Sequence, residues 1–188
     1  MTNHLRLQRR PFLTPIWLSA AVAVLVMAFM GFEAWVWLTA DSTTIIVVRH
    51  AEKATDAGND PPLTPAGESR AALLARMFGN RDAPGHIDAI YVSPTARNRA
   101  TAAPLAARLG LTPIAAEQRD AKGLARRILR EHSGERILVV GHGDTVDQIV
   151  SALTGAKDLP PIGDDEYGTL YIVAVPRFGR ANFLRMTY

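Results

Sequence analysis

The chain has 188 residues, 48% hydrophobic and 21% charged, with a formal net charge of +3, which suits one globular domain plus an appendage. It has no cysteine, so disulfides, thiolate metal sites and a cysteine nucleophile are excluded. The small basic excess comes without a stripe of cations interleaved with aromatics, which argues against nucleic acid as a partner.

In chain order, residues 1–15 carry Arg6, Arg9 and Arg10 and no acid. Residues 16–38 follow as an apolar run interrupted only by Ser19 and Glu33 among polar residues. At ~1.5 Å per residue this run is long enough to cross a hydrocarbon core of ~30 Å. Cations before the span and Asp41 after it place the N-terminus in the cytoplasm by the positive-inside rule. Trp17, Trp35 and Trp37 fall near the two ends, as an aromatic belt requires, and Glu33 falls close to the outer interface. The run is too long for the ~7–15-residue core of a cleaved signal peptide, and Leu38-Thr39-Ala40 is a poor cleavage site. The expectation is a basic cytoplasmic segment (1–15) and one signal-anchor helix (16–38) in a bacterial inner membrane. The rest, from Thr43 to Tyr188, is then periplasmic; signal cleavage and secretion is the alternative.

The stretch TTIIVVRHAEK (43–53) is a run of β-branched residues that stops at Arg49-His50. Four consecutive apolar residues, 45–48, suit a strand buried on both faces of a sheet. Residues 54–62 read as a polar loop. LTPAGESRAALLARMFG reads as a helix with Thr64 as N-cap, Pro65 in the first turn and Gly79 at its end. Leu73, Leu74, Met77 and Phe78 are its core face. IDAIYVSP is a second short strand ending at Ser93-Pro94, and TARNRATAAPLAARLG a helix bearing Arg97, Arg99 and Thr101. An extended piece over 112–115 precedes a helix over 120–132. RILVVGHGD repeats the opening pattern, a buried strand running into His142 and Asp144, with Asp144 as the cap of the helix TVDQIVSALTG. After an acidic loop, TLYIVAV and ANFLRMTY read as two closing strands. Strands alternating with helices predict a three-layer α/β/α sandwich with a mostly parallel central sheet.

Open sheets of this kind bind ligands beyond the carboxyl ends of their strands. Three junctions deliver polar residues there: Arg49-His50, Ser93 with Arg97, and His142. Two imidazoles and two guanidinium groups at one edge suit phosphoryl transfer. An imidazole nitrogen can carry phosphorus covalently, and guanidinium forks match phosphoryl oxygens. No metal or other cofactor is needed for this chemistry, and His50, His142 and Asp144 lack the local spacing of known metal motifs.

The set TIIVVRHAEK, YVSPTARNRATA and VVGHGD resembles the signature of the histidine phosphatase superfamily, also called the phosphoglycerate mutase-like family, from about Thr43 to the C-terminus. The resemblance implies that fold, with His50 as the nucleophile that becomes phosphorylated. It implies that Arg49 and Arg97 clamp the phosphoryl group and that His142 donates to it. Thr101 matches a threonine that packs behind the second arginine, Ser93 orients its loop, and Arg99 is surface.

The proton donor to the leaving group is open at this level. Branch-one members use a glutamate after the second arginine, where Glu117 stands in an atypical context. Branch-two members use an aspartate beside the second histidine, from which Asp144 is displaced by one residue, and Glu52 lies near the nucleophile in sequence. A neutral His50 is required for attack, with the arginines lowering its pKa and its other ring nitrogen donating to a backbone carbonyl. The resulting expectation is a phosphomonoesterase acting on a phosphorylated small molecule or envelope component, such as a phosphorylated envelope sugar. The alternative is a tethered, non-catalytic anion-binding module.

Overall fold

The computed structural model describes residues 16–38, 42–55, 58–117 and 119–188. The chain forms two compact units, Met1–Ala40 and Asp41–Tyr188. In the first, helix α1 (Ile16–Leu38) has 23 residues, the span the sequence predicts. Its described side chains are exposed on every face, Trp17 at 71% and Leu25 at 69% among them. It is long and apolar enough to cross a membrane. The basic residues expected before it, Arg6, Arg9 and Arg10, lie outside the described residues, as does the side chain of Trp37.

The second unit is built on β1 (Ser42–Arg49), α2 (Pro65–Phe78), β2 (Ala89–Val92), α3 (Ala96–Leu109), β3 (Ile114–Ala115), α4 (Ala121–Glu131), β4 (Arg136–Gly141), α5 (Gly143–Thr154), β5 (Thr169–Pro176) and β6 (Asn182–Thr187). One sheet has the order β3-β2-β4-β1-β5-β6. β3, β2, β4 and β1 are parallel; β5 runs antiparallel to β1 and pairs with β6 as a hairpin. The unbroken apolar run in β1 follows from its central place. Ile45 and Val47 join one core with Leu124, Ile128, Val146 and Ile149 of α4 and α5. Ile46 and Val48 join the other with Leu74, Leu105 and Leu109 of α2 and α3. Those two cores and the sheet between them are the three layers expected.

Local chemistry sets the element ends. The Thr64 hydroxyl accepts from the Gly67 amide at 3.1 Å and caps α2. A β-carbon on Gly67 would overlap the Glu52 carbonyl oxygen, so this glycine lets α2 start directly beneath the loop that follows β1. Two readings change. Met77 is 45% exposed and points away from the core, because its position on α2 falls one residue off the buried stripe of Ala71, Leu74 and Ala75. Asp144 is not the cap of α5: His142 takes that position and Asp144 sits in the first turn.

The parallel strands end at one edge, and the topology brings two further pieces to it. The antiparallel pairing of Val48 with Leu170 puts the start of β5, and with it the segment before residue 169, beside the end of β1. Strand β4, inserted between β1 and β2, delivers His142 next to His50; Arg49 is the register partner of Gly141.

Candidate active site

His50 is the first residue beyond β1 and is 3% exposed. Its amide donates to the Gly141 carbonyl at 2.9 Å, which joins it to the end of β4. Its Nδ1 lies 2.8 Å from the Ala51 carbonyl oxygen. A carbonyl only accepts, so Nδ1 carries the proton and the lone pair is on Nε2. The sequence argument requires this tautomer. Burial is the first cause that lowers the His50 pKa, to about 4. The Ala51 hydrogen bond works the other way, and the charges of His142, Arg97 and Arg49 add smaller downward pushes. Burial therefore outweighs the arginines that the sequence reading held responsible.

The second imidazole lies beside the first, with ring centroids 5.4 Å apart and planes at 70°. His142 Nε2 is 2.8 Å from Ser93 Oγ, and Nδ1 is 3.4 Å from Arg97 Nη2. A guanidinium only donates, so Nδ1 is the accepting nitrogen and Nε2–H donates to Ser93. Burial, then Arg97, keep the His142 pKa low, with Arg49 and Lys53 adding less and Asp144 opposing them. The His142 backbone is pinned by Thr145, whose hydroxyl oxygen accepts from the His142 amide at 2.9 Å.

The two guanidinium groups come from different elements. Arg49, the last residue of β1 and 6% exposed, donates through Nη1 to the carbonyls of Gly163 at 2.6 Å and Glu166 at 3.3 Å. The Tyr167 ring covers it, with Cζ 4.4 Å from the ring centroid. Arg97, in the first turn of α3, faces His142 through Nη2 and Asp60 through Nη1, the latter at 3.5 Å. Both Nε atoms, of Arg49 and of Arg97, are buried and have no hydrogen-bond partner. Unmet buried donors on two cations beside two neutral imidazoles are an arrangement that an oxyanion satisfies.

Four further residues support this geometry, of which the family resemblance points only to Thr101. Thr101, fully buried, accepts from the Ala51 amide at 2.9 Å and donates to the Arg97 carbonyl at 2.7 Å. It thus links the loop that follows His50 to the turn that carries Arg97. Asn98, also fully buried, donates to the Val140 carbonyl at 2.9 Å and fastens α3 to β4. Both Asp60 oxygens accept from the Ala96 amide at 2.9 Å, capping α3 from a distant loop. Tyr167 lies 6.0 Å from the His50 ring, centroid to centroid. Asn98, Asp60 and Tyr167 have no sequence signal of their own, because each acts through a neighbour far away in the chain. Arg99 is exposed, as its helical phase requires.

The three acid candidates fall in different places. Glu52 is bound in a fork by Arg70, with three contacts of 2.6–3.0 Å. The Arg70 hydrogen bond holds its carboxyl below the usual glutamate range, which opposes a proton-donating role. Glu117 is exposed after β3 and lines a hollow of about 380 Å³ with Arg126, Arg127 and Arg130, which holds neither histidine. Asp144 is exposed on the first turn of α5, and its charge reaches His142. Among the described residues no cluster of three or more histidine, aspartate or glutamate side chains is arranged to hold a metal.

Residues 45–119, a stretch that holds His50 and both site arginines, match the model of the histidine phosphatase superfamily (branch 1). Among solved structures, the histidine phosphatase fold recurs in the protein histidine phosphatase SixA complexed with tungstate. The two are 21% identical, with a TM-score of 0.64 over 77% of this chain and 96% of that one. A mycobacterial glucosyl-3-phosphoglycerate phosphatase, Rv2419c, is 14% identical with a TM-score of 0.58, over 78% of this chain and 98% of that one. A putative phosphohistidine phosphatase SixA from Agrobacterium tumefaciens is 22% identical with a TM-score of 0.56, over 76% and 97%. No match was found among curated proteins.

Proposed function

We propose that this histidine phosphatase domain hydrolyses phosphomonoesters through a phosphohistidine on His50. The observation that carries the reading is the convergence of two neutral imidazoles with two cations whose buried Nε–H groups have no protein acceptor. The Nε2 lone pair of His50 attacks phosphorus; the N–P bond forms as the ester P–O bond breaks. Positive charge then develops on the ring, where Nδ1–H donates to the Ala51 carbonyl at 2.8 Å and stabilises it. Arg49 and Arg97 bind the equatorial oxygens, whose charge they offset more effectively in a water-poor site. Water next attacks phosphorus and passes a proton to the group that protonated the leaving oxygen, the N–P bond breaks, and the imidazole returns to its neutral form.

The leaving oxygen needs a proton. Glu52 is committed to Arg70 and Glu117 lines another hollow, so we assign this step to the protonated form of Asp144, which lies in the first turn of the helix that His142 caps. Rv2419c is a glucosyl-3-phosphoglycerate phosphatase, and SixA a protein histidine phosphatase. With α1 as an inner-membrane anchor and the domain in the periplasm, a phosphorylated envelope sugar is the substrate class this reading favours. The test is turnover of a phosphomonoester panel by the full chain in detergent, with a denaturing alkaline quench that preserves phosphohistidine. Wild type should release phosphate and carry label on His50; His50→Ala should do neither. Phosphate binding with no turnover of any ester would favour the anion-binding module instead.

A further inference from the structure

The residues that aim Arg49 are themselves held from outside the site. Gly163 and Glu166 form the two ends of a tight turn in which the Glu166 amide donates to the Gly163 carbonyl at 3.0 Å. Arg49 donates to the carbonyls of both ends. The Glu166 side chain turns away from the site and gathers three donors. Arg185 Nη2 of β6 lies 2.7 Å from Oε1, the buried Thr169 hydroxyl donates to the same oxygen, and the Gly163 amide lies 3.3 Å from Oε2. Arg185 also reaches the Pro160 carbonyl at 3.4 Å. One guanidinium thus grips the turn from inside the site and another from the edge hairpin.

Resting on the phosphatase reading above, we propose that Glu166 and Arg185 are a positioning pair for Arg49. They fix the two carbonyls that occupy Nη1, which leaves Nε and Nη2 turned to the phosphoryl oxygens and seats Tyr167 against the guanidinium face. An ion pair this exposed, 28% and 39%, adds little to folding. Its effect belongs to the geometry of one cation, where small errors of placement are costly in rate. Neither residue touches substrate.

The test is a double-mutant cycle in the full chain, read as kcat/KM for p-nitrophenyl phosphate and as orthophosphate affinity by calorimetry. Glu166→Ala should lower both by roughly tenfold, a coupling ordinary for groups in one network. The same substitution in an Arg49→Lys background should cost less than about twofold, because the guanidinium fork it positions is gone. Glu166→Gln, which keeps one acceptor oxygen for the Thr169 hydroxyl but sets an NH2 against the Gly163 amide, should recover part of the loss. Equal losses in both backgrounds, or no loss from Glu166→Ala, would overturn the pair's role. Should Glu166→Ala fail to fold, Arg185→Lys and Glu166→Gln carry the same cycle. A wild type that binds phosphate without turnover sinks the phosphatase reading alone, and the cycle is then read on binding. A wild type that does not bind phosphate sinks both.

Discussion

At the scale of single residues, burial decides the chemistry. His50 is neutral at pH 7 because its charged form is poorly solvated, and its pKa of about 4 has a consequence in each of two measurements. The profile of kcat/KM against pH, which reports the free enzyme, should show no loss of nucleophile between pH 8 and about pH 5; a limb with an apparent pKa near 6.5 would show His50 to be solvated. Stability moves in the same direction. The unfolded state binds a proton near pH 6.5 and the folded state only near 4, so stability is full above 6.5 and falls as pH drops through that window. His142, also lowered, adds to the slope. Denaturant unfolding of His50→Gln at pH 7 and pH 4.5 should show a smaller pH difference than wild type. Asp144 belongs to the same scale. If it protonates the leaving oxygen, Asp144→Asn should cut turnover of an alkyl phosphate by about 10²-fold, within the usual span for a general acid. It should spare an aryl phosphate, whose phenolate leaves unaided. Equal losses on both esters would remove Asp144 from the role.

At the scale of elements, α3 is the frame of the site. Arg97, Asn98 and Thr101 leave one helical face toward three different partners: the second imidazole, β4 and the nucleophile's loop. Thr101→Val should test this. It retains shape but leaves the buried Ala51 amide without an acceptor, a cost of about 1–3 kcal/mol. We expect that loss in denaturant unfolding together with a fall in kcat, while Thr101→Ser, which keeps the oxygen, stays near wild type. A stable but active Thr101→Val would show that the loop holds itself. The contrast between α3 and the 163–167 turn also shows what could be read from the chain alone. β1 and β4 were legible because a strand buried on both faces must be apolar at every position, and both run directly into a histidine. The α2 boundaries were legible through Thr64 and Pro65, whose capping chemistry is local. Tyr167, Asp60 and Glu166 were not legible. They come to the site by antiparallel pairing of β5 or by loop closure, and no spacing in the sequence records either. Glu52 misled for the opposite reason, since nearness in sequence to His50 hid its commitment to Arg70, eighteen residues on.

At the scale of the whole molecule, α1 governs where the chemistry can occur. Large apolar side chains of α1 such as Trp17 and Leu25 are exposed, and an exposed apolar helix of 23 residues is unfavourable in water. A bilayer removes that cost, and closure of all its backbone hydrogen bonds within the helix lets it enter one. If the N-terminus stays in the cytoplasm, as proposed, the domain is exported and its substrates are those of the outer face. Three outcomes are distinguishable when the tagged full chain is expressed in a bacterium and its membranes are washed with alkaline carbonate. An anchor keeps the full-length chain in the pellet, with the domain open to protease in spheroplasts and shielded in intact cells. A cleaved signal yields a soluble periplasmic form beginning near Asp41. Soluble full-length chain in the cytoplasm would remove the membrane assignment and, with it, the case for an envelope substrate. Two arginines at Val24 and Leu25 sharpen the result. Each costs about 2.5–3.5 kcal/mol at a helix centre, so V24R/L25R should abolish retention while the assay for phosphate release by the domain still runs.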